Sequence, residues 1–203
     1  PDVLITGCHH AREWISVETP IYYANQLINN YATDSFARSV VDRMQVWIVP
    51  IVNPDGLVYS QSAPDISDGR RLWRKNRRPL SLSSCVTATG VDLNRNYEYG
   101  WRLGGDEPWD DYCSSDRSCL QDDRGGSDDP NNLEIYRGPK AASEPEVKVI
   151  KSLTDDPNRH FRVELDYHNY SELILYPWGF QSDAAPDAQG RSSADQVKVN
   201  ANG

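Results

Sequence analysis

Val3-Leu4-Ile5-Thr6-Gly7-Cys8-His9-His10-Ala11-Arg12-Glu13-Trp14 runs from an apolar stretch into a histidine and a carboxylate three residues apart. The apolar run Val3-Leu4-Ile5 predicts a strand that ends before the histidines. A strand opening into a turn projects its next side chains into the crevice at the end of a sheet, where α/β proteins usually bind ligands. In a helical turn, residues three apart share a face and can hold one metal ion. His10 and Glu13 therefore read as half of a zinc site. The bland alternative is a buried histidine bonded to a neighbouring carboxylate, which leaves the same pattern.

A catalytic zinc usually takes three protein ligands, often two imidazoles and one carboxylate. The histidines stand at 9, 10, 160 and 168. His160 lies in the polar turn Asp155-Asp156-Pro157-Asn158-Arg159-His160 and reads as a solvated loop residue. His168 ends the alternating run Phe161-Arg162-Val163-Glu164-Leu165-Asp166-Tyr167, which predicts a strand. Two histidines at two strand ends can converge on one crevice, so His168 is the expected third ligand. His9 competes with His10, because it stands four residues from Glu13 and that spacing also shares a helical face.

The remaining pattern supports strands alternating with helices, hence an α/β fold with a mixed central sheet flanked by helices. Val17, Ile21, Tyr22, Ala24, Leu27, Ile28 and Tyr31 recur at helical spacing. Val46-Trp47-Ile48-Val49-Pro50-Ile51-Val52 predicts a buried strand leading to an Asn53-Pro54-Asp55-Gly56 turn. Ser143, with early acidic residues and Pro145, predicts a helix start running through Leu153. A final helix is expected over 193–200. The 203 residues suit a single domain over 1–203, with no internal repeat, and the formal charge of −9 argues against a general nucleic-acid binder. No apolar run reaches membrane-spanning length, and no signal-peptide pattern is present.

Further motifs extend the reading: Leu72-Trp73-Arg74-Lys75, Gly90-Val91-Asp92-Leu93-Asn94-Arg95-Asn96-Tyr97, Tyr136-Arg137-Gly138 with Ser143-Glu144-Pro145-Glu146, and His168-Asn169-Tyr170 through Leu175-Tyr176-Pro177-Trp178-Gly179. Together with His10-Ala11-Arg12-Glu13-Trp14-Ile15 and Asn53-Pro54-Asp55-Gly56, and in this order, they resemble the zinc metallocarboxypeptidases of the carboxypeptidase A/B type, peptidase family M14. The A/B form is favoured over the N/E form by His-Ala-Arg-Glu-Trp and by Gly-Val-Asp-Leu-Asn-Arg-Asn.

The resemblance implies one Zn2+ held by His10, Glu13 and His168. It implies that Asp92 accepts a hydrogen bond from the first ligand histidine and fixes its tautomer. Arg74, which composition alone would leave in a solvated basic cluster, becomes the group that stabilises a tetrahedral oxyanion. Asn94 and Arg95 become the grip on a terminal carboxylate, work that suits a planar guanidinium. Without the resemblance, Arg95 reads as a surface ion pair. Arg12 and Tyr170 match residues that contact peptide further from its end, and Gly179 falls where the side-chain pocket begins.

The implied activity is removal of single residues from peptide C-termini by a secreted, monomeric enzyme whose partners are peptide or protein C-termini, with neither nucleic acid nor membrane. The family's general-base glutamate comes later than Gly203, and the first strand begins abruptly, so the chain reads as an internal fragment truncated at both ends and inactive by itself. A non-catalytic peptide-binding pseudoenzyme on the same scaffold is the alternative, with an amidohydrolase of related fold between the two. The full peptide clamp argues against the amidohydrolase.

Four cysteines leave the pairing open. The resemblance implies a disulfide from Cys85 to Cys113 or Cys119, with a Cys113 to Cys119 loop as the other arrangement, and a disulfide agrees with secretion. Cys8 is expected to be a buried free thiol. Residues 104–132 depart from the family pattern as a Gly-rich insertion crowded with aspartates, including Asp106, Asp128 and Asp129. Oxygen ligands on a flexible loop suit Ca2+, although acidic loops are usually only solvated. The insertion's position just after Arg95 also suggests a filter over the site.

Overall fold

Residues 1–81, 84–98, 101, 126–170 and 173–175, with the backbone of 197–198, are described by the computed structural model. Its centre is β1 (Asp2–Gly7), which pairs in parallel with β2 (Gln45–Val49) on one side and β3 (Phe161–Tyr167) on the other. Central position explains the composition of β1: with neighbours on both sides it is buried at Leu4, Ile5 and Thr6, as parallel strands generally are. The three strands run the same way, so Gly7, Val49 and Tyr167 all end at one crest of the sheet. Antiparallel pairing occurs separately, between β4 (Leu173–Ile174) and β5 (Val197–Lys198).

Helices pack on the sheet, although β3 stays exposed along its middle. α1 (Ile15–Asn30) packs across all three strands, and α2 (Ser35–Arg43) packs on α1. Further along the chain, α3 (Pro54–Gln61) follows β2, and α4 (Pro145–Thr154) sets Val147 and Ile150 against Leu4, in a core that also takes Val52, Leu93 and Ala142. A second cluster joins Cys8, Val17 and Leu57, with Trp14 against it. Cys8 is buried and free.

Several local expectations need correction. The apolar stripe on α1 is only partly internal: Val17 and Leu27 are buried, whereas Ile21, Tyr22, Ile28 and Tyr31 are exposed. The buried line instead includes Ser16 and Pro20. Pro20 has no N–H to give the Ser16 carbonyl. That carbonyl packs against Gly7 so closely that a Cβ there would lie 2.2 Å from it. β2 is shorter than predicted and half-buried rather than buried. The helix start expected at Ser143 shifts by one: Glu144 is the N-cap, and the Ser143 hydroxyl donates to its carboxylate at 2.6 Å. Val197–Lys198, expected within a helix, pairs as a strand.

The largest correction is at Asn53-Pro54-Asp55-Gly56, which starts α3 rather than closing a turn. Asn53 is the N-cap, its Oδ1 accepting the Gly56 N–H at 3.0 Å, and Pro54 takes the first helical position where its missing N–H costs nothing. Fully buried, Asn53 also donates through Nδ2 to the His9 and Lys75 carbonyls, both at 3.1 Å. Its backbone N–H donates to the Cys8 carbonyl at 3.0 Å. One side chain thus ties the loop after β1 to the segment carrying Arg74. Asn53→Ala removes a cap and leaves two buried carbonyls short of a donor, which should cost ~2–4 kcal/mol. Urea unfolding of the two proteins measures it, and a midpoint unchanged by the substitution would contradict this role.

Candidate metal centre

The loop leaving β1 turns at Cys8, whose φ of 58° lies in the left-handed region. For a residue with a side chain that conformation costs about 1–2 kcal/mol. Hydrogen bonds hold it there: the Cys8 N–H donates to Ser16 Oγ at 3.0 Å, and the Cys8 carbonyl receives the Asn53 N–H. The following turn is helical enough that the Glu13 N–H donates to the His10 carbonyl at 3.1 Å. His10 and Glu13 are thereby placed side by side, with His10 Nδ1 2.8 Å from Glu13 Oε1. Both are buried.

His168 arrives from the end of β3. Its Nδ1 is 2.9 Å from Glu13 Oε2 and 3.2 Å from His10 Nδ1. Ligand atoms of His10, Glu13 and His168 all lie within 4.8 Å of one another. Two ring nitrogens facing each other at 3.2 Å repel unless one carries a proton or a cation lies against both. A carboxylate bridging the same pair is the donor set that zinc takes. Among the described residues the outer nitrogen of His10 is buried without an aligned hydrogen-bond partner, and Asp92 Oδ1 stands 3.3 Å from it at ion-pair distance. These residues fit a zinc ion, His10 and His168 through Nδ1 and Glu13 through its carboxylate.

Asp92 is placed by Gly90 and by a 3-10 turn, Leu93–Arg95. Gly90 has φ of 84°, and a Cβ on it would fall 2.2 Å from the Asn76 carbonyl oxygen, so only glycine fits. Asp92 Oδ1 accepts the Asn94 N–H at 3.1 Å and caps the turn. Its other oxygen receives Arg74, through Nε at 3.0 Å and Nη2 at 2.9 Å. The guanidinium of Arg74 is thereby fixed beside the ligand cluster. Asn94 lies with Nδ2 3.3 Å from His168 Nε2, and Arg95 Nη1 donates to the Asn94 carbonyl at 2.9 Å.

Electrostatics follow this geometry. Burial pushes the Glu13 carboxyl up, but hydrogen bonds from His10 and His168 prevail and hold it at about 2. Burial likewise opposes ionisation of Asp92, and His10 and Arg74 overcome it, keeping the group well below the carboxylate range. Burial lowers His168, while hydrogen bonds to Asp166 and Glu13 raise it further, to about 9. Arg95 is drawn below its ordinary value by burial, with Asp92 opposing and Arg74 and Arg137 adding to it. Burial, then the charge of Glu13, pushes the Cys8 thiol up to about 12, so it stays protonated beside the cluster.

Other expected site residues have other partners, are exposed, or lie outside the described residues. Arg12 pairs with Glu134 at 2.8 Å and donates to the Leu72 carbonyl. Tyr170 is 91% exposed. Gly179, Cys113 and Cys119 lie outside the described residues, as does most of the acidic insertion. Of its described aspartates, Asp128 pairs with Arg137 at 3.1 Å and Asp129 accepts the Asn131 N–H at 2.9 Å. His9 does not share the cluster with Glu13: its Nδ1 meets Asp166 at 2.9 Å and its Nε2 meets the Tyr97 hydroxyl at 2.7 Å. Asp166, which also lies 2.7 Å from His168 Nε2, is a member of the site that the sequence reading misses. The available signal is its place two residues before His168, since alternate strand residues share a face.

The sequence model of the zinc carboxypeptidase family, peptidase M14, matches residues 1–203. The chain belongs to this zinc carboxypeptidase family. It is 34% identical over 203 residues to carboxypeptidase A4 of Mus musculus, covering 99% of this chain and 40% of that one. To carboxypeptidase B of Astacus astacus it is 33% identical over 189 residues, 93% of this chain and 52% of the relative. The crystal structure of thrombin activatable fibrinolysis inhibitor superposes with a TM-score of 0.67 at 26% identity, over 93% of this chain and 40% of that chain. This zinc carboxypeptidase family member thus spans about half or less of the length of these relatives. Among the described residues, no helix is long and apolar enough to cross a membrane.

The shifted His168 gives a pH dependence of known sign. With its value raised from 6.5 to about 9, the metal-free protein gains stability that is fully present below pH 6.5 and lost as pH rises through 9. A metal-bound imidazole has no proton at that nitrogen. Urea midpoints between these pH values should fall with pH for the metal-free protein, and the fall should be absent with zinc. Parallel pH profiles for the two forms would contradict this.

Proposed function

We propose that the protein is a zinc carboxypeptidase that hydrolyses the last peptide bond of peptides and proteins and releases single amino acids. The observation that carries this is the convergence of His10, Glu13 and His168 at two strand ends, with Asp92 and Arg74 held beside them. When bound, zinc supplies Lewis-acid polarisation of a carbonyl and activation of water at neutral pH. Glu13 remains ionised throughout that range and contributes the negative charge that holds the ion.

Arg74, pinned by Asp92, is assigned to the oxyanion of the transition state; a donor fixed in advance needs no reorganisation as charge develops. Asn94 and Arg95 are assigned to the terminal carboxylate. Arg95 suits this because it lies among cations and benefits from an added anion. Arg12 and Tyr170 are assigned to peptide further from the end, and Gly179 to the side-chain pocket. No proton acceptor is assigned among the described residues. Residues 1–203 form one domain in this reading. Secretion is supported by Cys85, which is disulfide-bonded. Ca2+ in the acidic insertion draws no support from Asp128 and Asp129, whose carboxylates already have protein partners.

The full-length protein, incubated with a mixed peptide library with and without a zinc chelator, should remove single C-terminal residues only without chelator. Mass spectrometry locates the cuts. Arg95→Ala should raise KM by about 10- to 100-fold, the worth of a charge-assisted hydrogen bond, with kcat little changed. Arg74→Ala should lower kcat by about 10²- to 10³-fold. Zinc binding without cleavage by the full-length protein would replace this reading with a peptide-binding pseudoenzyme.

A further inference from the structure

A second group of ligating side chains touches the back of His168. His9 Nδ1 stands 2.9 Å from Asp166 Oδ1, and Asp166 Oδ2 stands 2.7 Å from His168 Nε2. The Thr6 hydroxyl donates to Asp166 Oδ1 at 2.9 Å. The Tyr97 hydroxyl closes the far end, 2.7 Å from His9 Nε2. Thr6, His9, Tyr97 and Asp166 have no role in the catalytic assignment above.

We propose that Tyr97, His9 and Asp166 form a positioning chain that fixes the tautomer and ring angle of His168 for the metal. The inference rests on the reading of His10, Glu13 and His168 as a zinc site and adds the residues that aim one ligand. Hydrogen-bond bookkeeping gives the direction. An ionised Asp166 only accepts, so both imidazole nitrogens that face it carry protons. His168 is then protonated at Nε2, which leaves the Nδ1 lone pair for the ion. His9 is protonated at Nδ1, so its Nε2 accepts from the Tyr97 hydroxyl. Asn94 Nδ2, 3.3 Å from the same His168 nitrogen, is then a neighbour and not a donor to it.

Position supports this role. Thr6 and Asp166 are register partners in the parallel pairing of β1 and β3, so the carboxylate is anchored where the two strands meet. His9 is buried and held through its carbonyl by Asn53. His168 needs such support more than His10 does, because its side chain is 31% exposed against 5% for His10. His10 draws its orientation from buried Asp92; His168, at the open side, draws it from Asp166.

The same atoms admit another occupant, since ligand atoms of His9, Asp166 and His168 also lie within 4.8 Å of one another. A second ion there would take the lone pairs that the hydrogen bonds now use. Stoichiometry separates the two.

The test is zinc binding by the full-length protein, measured by competition with a chromophoric chelator, with cobalt(II) absorption as the report on ligand geometry. The expected stoichiometry is one zinc per chain. Asp166→Ala should weaken zinc by about 10- to 100-fold and alter the cobalt spectrum. Asp166→Asn should recover most of the affinity: its carbonyl accepts from His168, and its amide faces His9, which exchanges tautomers against a tyrosine hydroxyl able both to donate and to accept. That rescue should vanish when Tyr97→Phe is added, because His9 then has no such partner, and this coupling is one that general destabilisation does not produce. Unchanged zinc affinity and cobalt spectrum in Asp166→Ala would overturn the proposal, as would a rescue by Asp166→Asn that persists in the Tyr97→Phe background. Two zinc ions per chain, one lost on His9→Ala, would overturn it in favour of a second metal site. Failure of the unsubstituted protein to bind zinc would remove the metal reading itself and this inference with it.

Discussion

Parallel pairing of β1 with β3 is the constraint on which the site depends. Its register sets Thr6 opposite Asp166 and Gly7 opposite Tyr167, so the residues that follow each strand emerge together at one crest. A slip of one residue would send His168 to the opposite face, because strand side chains alternate. The register is held from within by the burial of Leu4 and Ile5 and at its end by the Thr6 to Asp166 hydrogen bond. Zinc would ask for ligands placed to within a fraction of an ångström, and the sheet ladder fixes where the hydrogen-bonded loop carrying His10 and Glu13 and the residue His168 emerge.

Around this pairing, polar side chains do the work that apolar packing cannot, since packing has no direction. Asn53 joins the exit of β1 to the Arg74 segment, and Asp92 joins the Arg74 guanidinium to His10. Each is fully buried, and each spends its acceptors or donors on groups from different parts of the chain. Such networks are stable only when nearly every member is satisfied, which makes them sensitive to substitution and definite in shape.

What the sequence discloses, and what it hides, divides along the same line. His10 and Glu13 are legible because their spacing is local and their chemistry specific. β3 is legible because seven residues alternate cleanly. The metal cluster needs the further step of assuming that two strand ends meet, which a three-residue motif does not encode. α3 escapes the reading because Asn-Pro is equally a turn signal and the cap plus first residue of a helix, and only the three-way bonding of Asn53 decides between them. The buried face of α1 escapes it because apolar spacing is not burial: Pro20 and Gly7 dictate which side of the helix lies on the sheet. Tyr97 carries no signature, and Asp166 only its place two residues before His168 on the same strand face. An aspartate in an exposed strand and a tyrosine after an Asn-Arg-Asn string acquire meaning only when the sheet brings them to His9.

His10 and His168 are separated by 158 positions in the chain. In an unfolded chain the local pair, His10 with Glu13, offers an ion only two donors, and bringing the third to it costs the entropy of closing a very long loop. High affinity therefore cannot precede the meeting of β1 and β3. At the proposed site an ion would bind late and lock a finished topology, unlike the small finger-type modules in which metal drives the folding of a short segment. Retention of an ion at that site would report the integrity of the sheet as a whole: any opening that separates the two strand ends would release it, even when each half remains locally ordered.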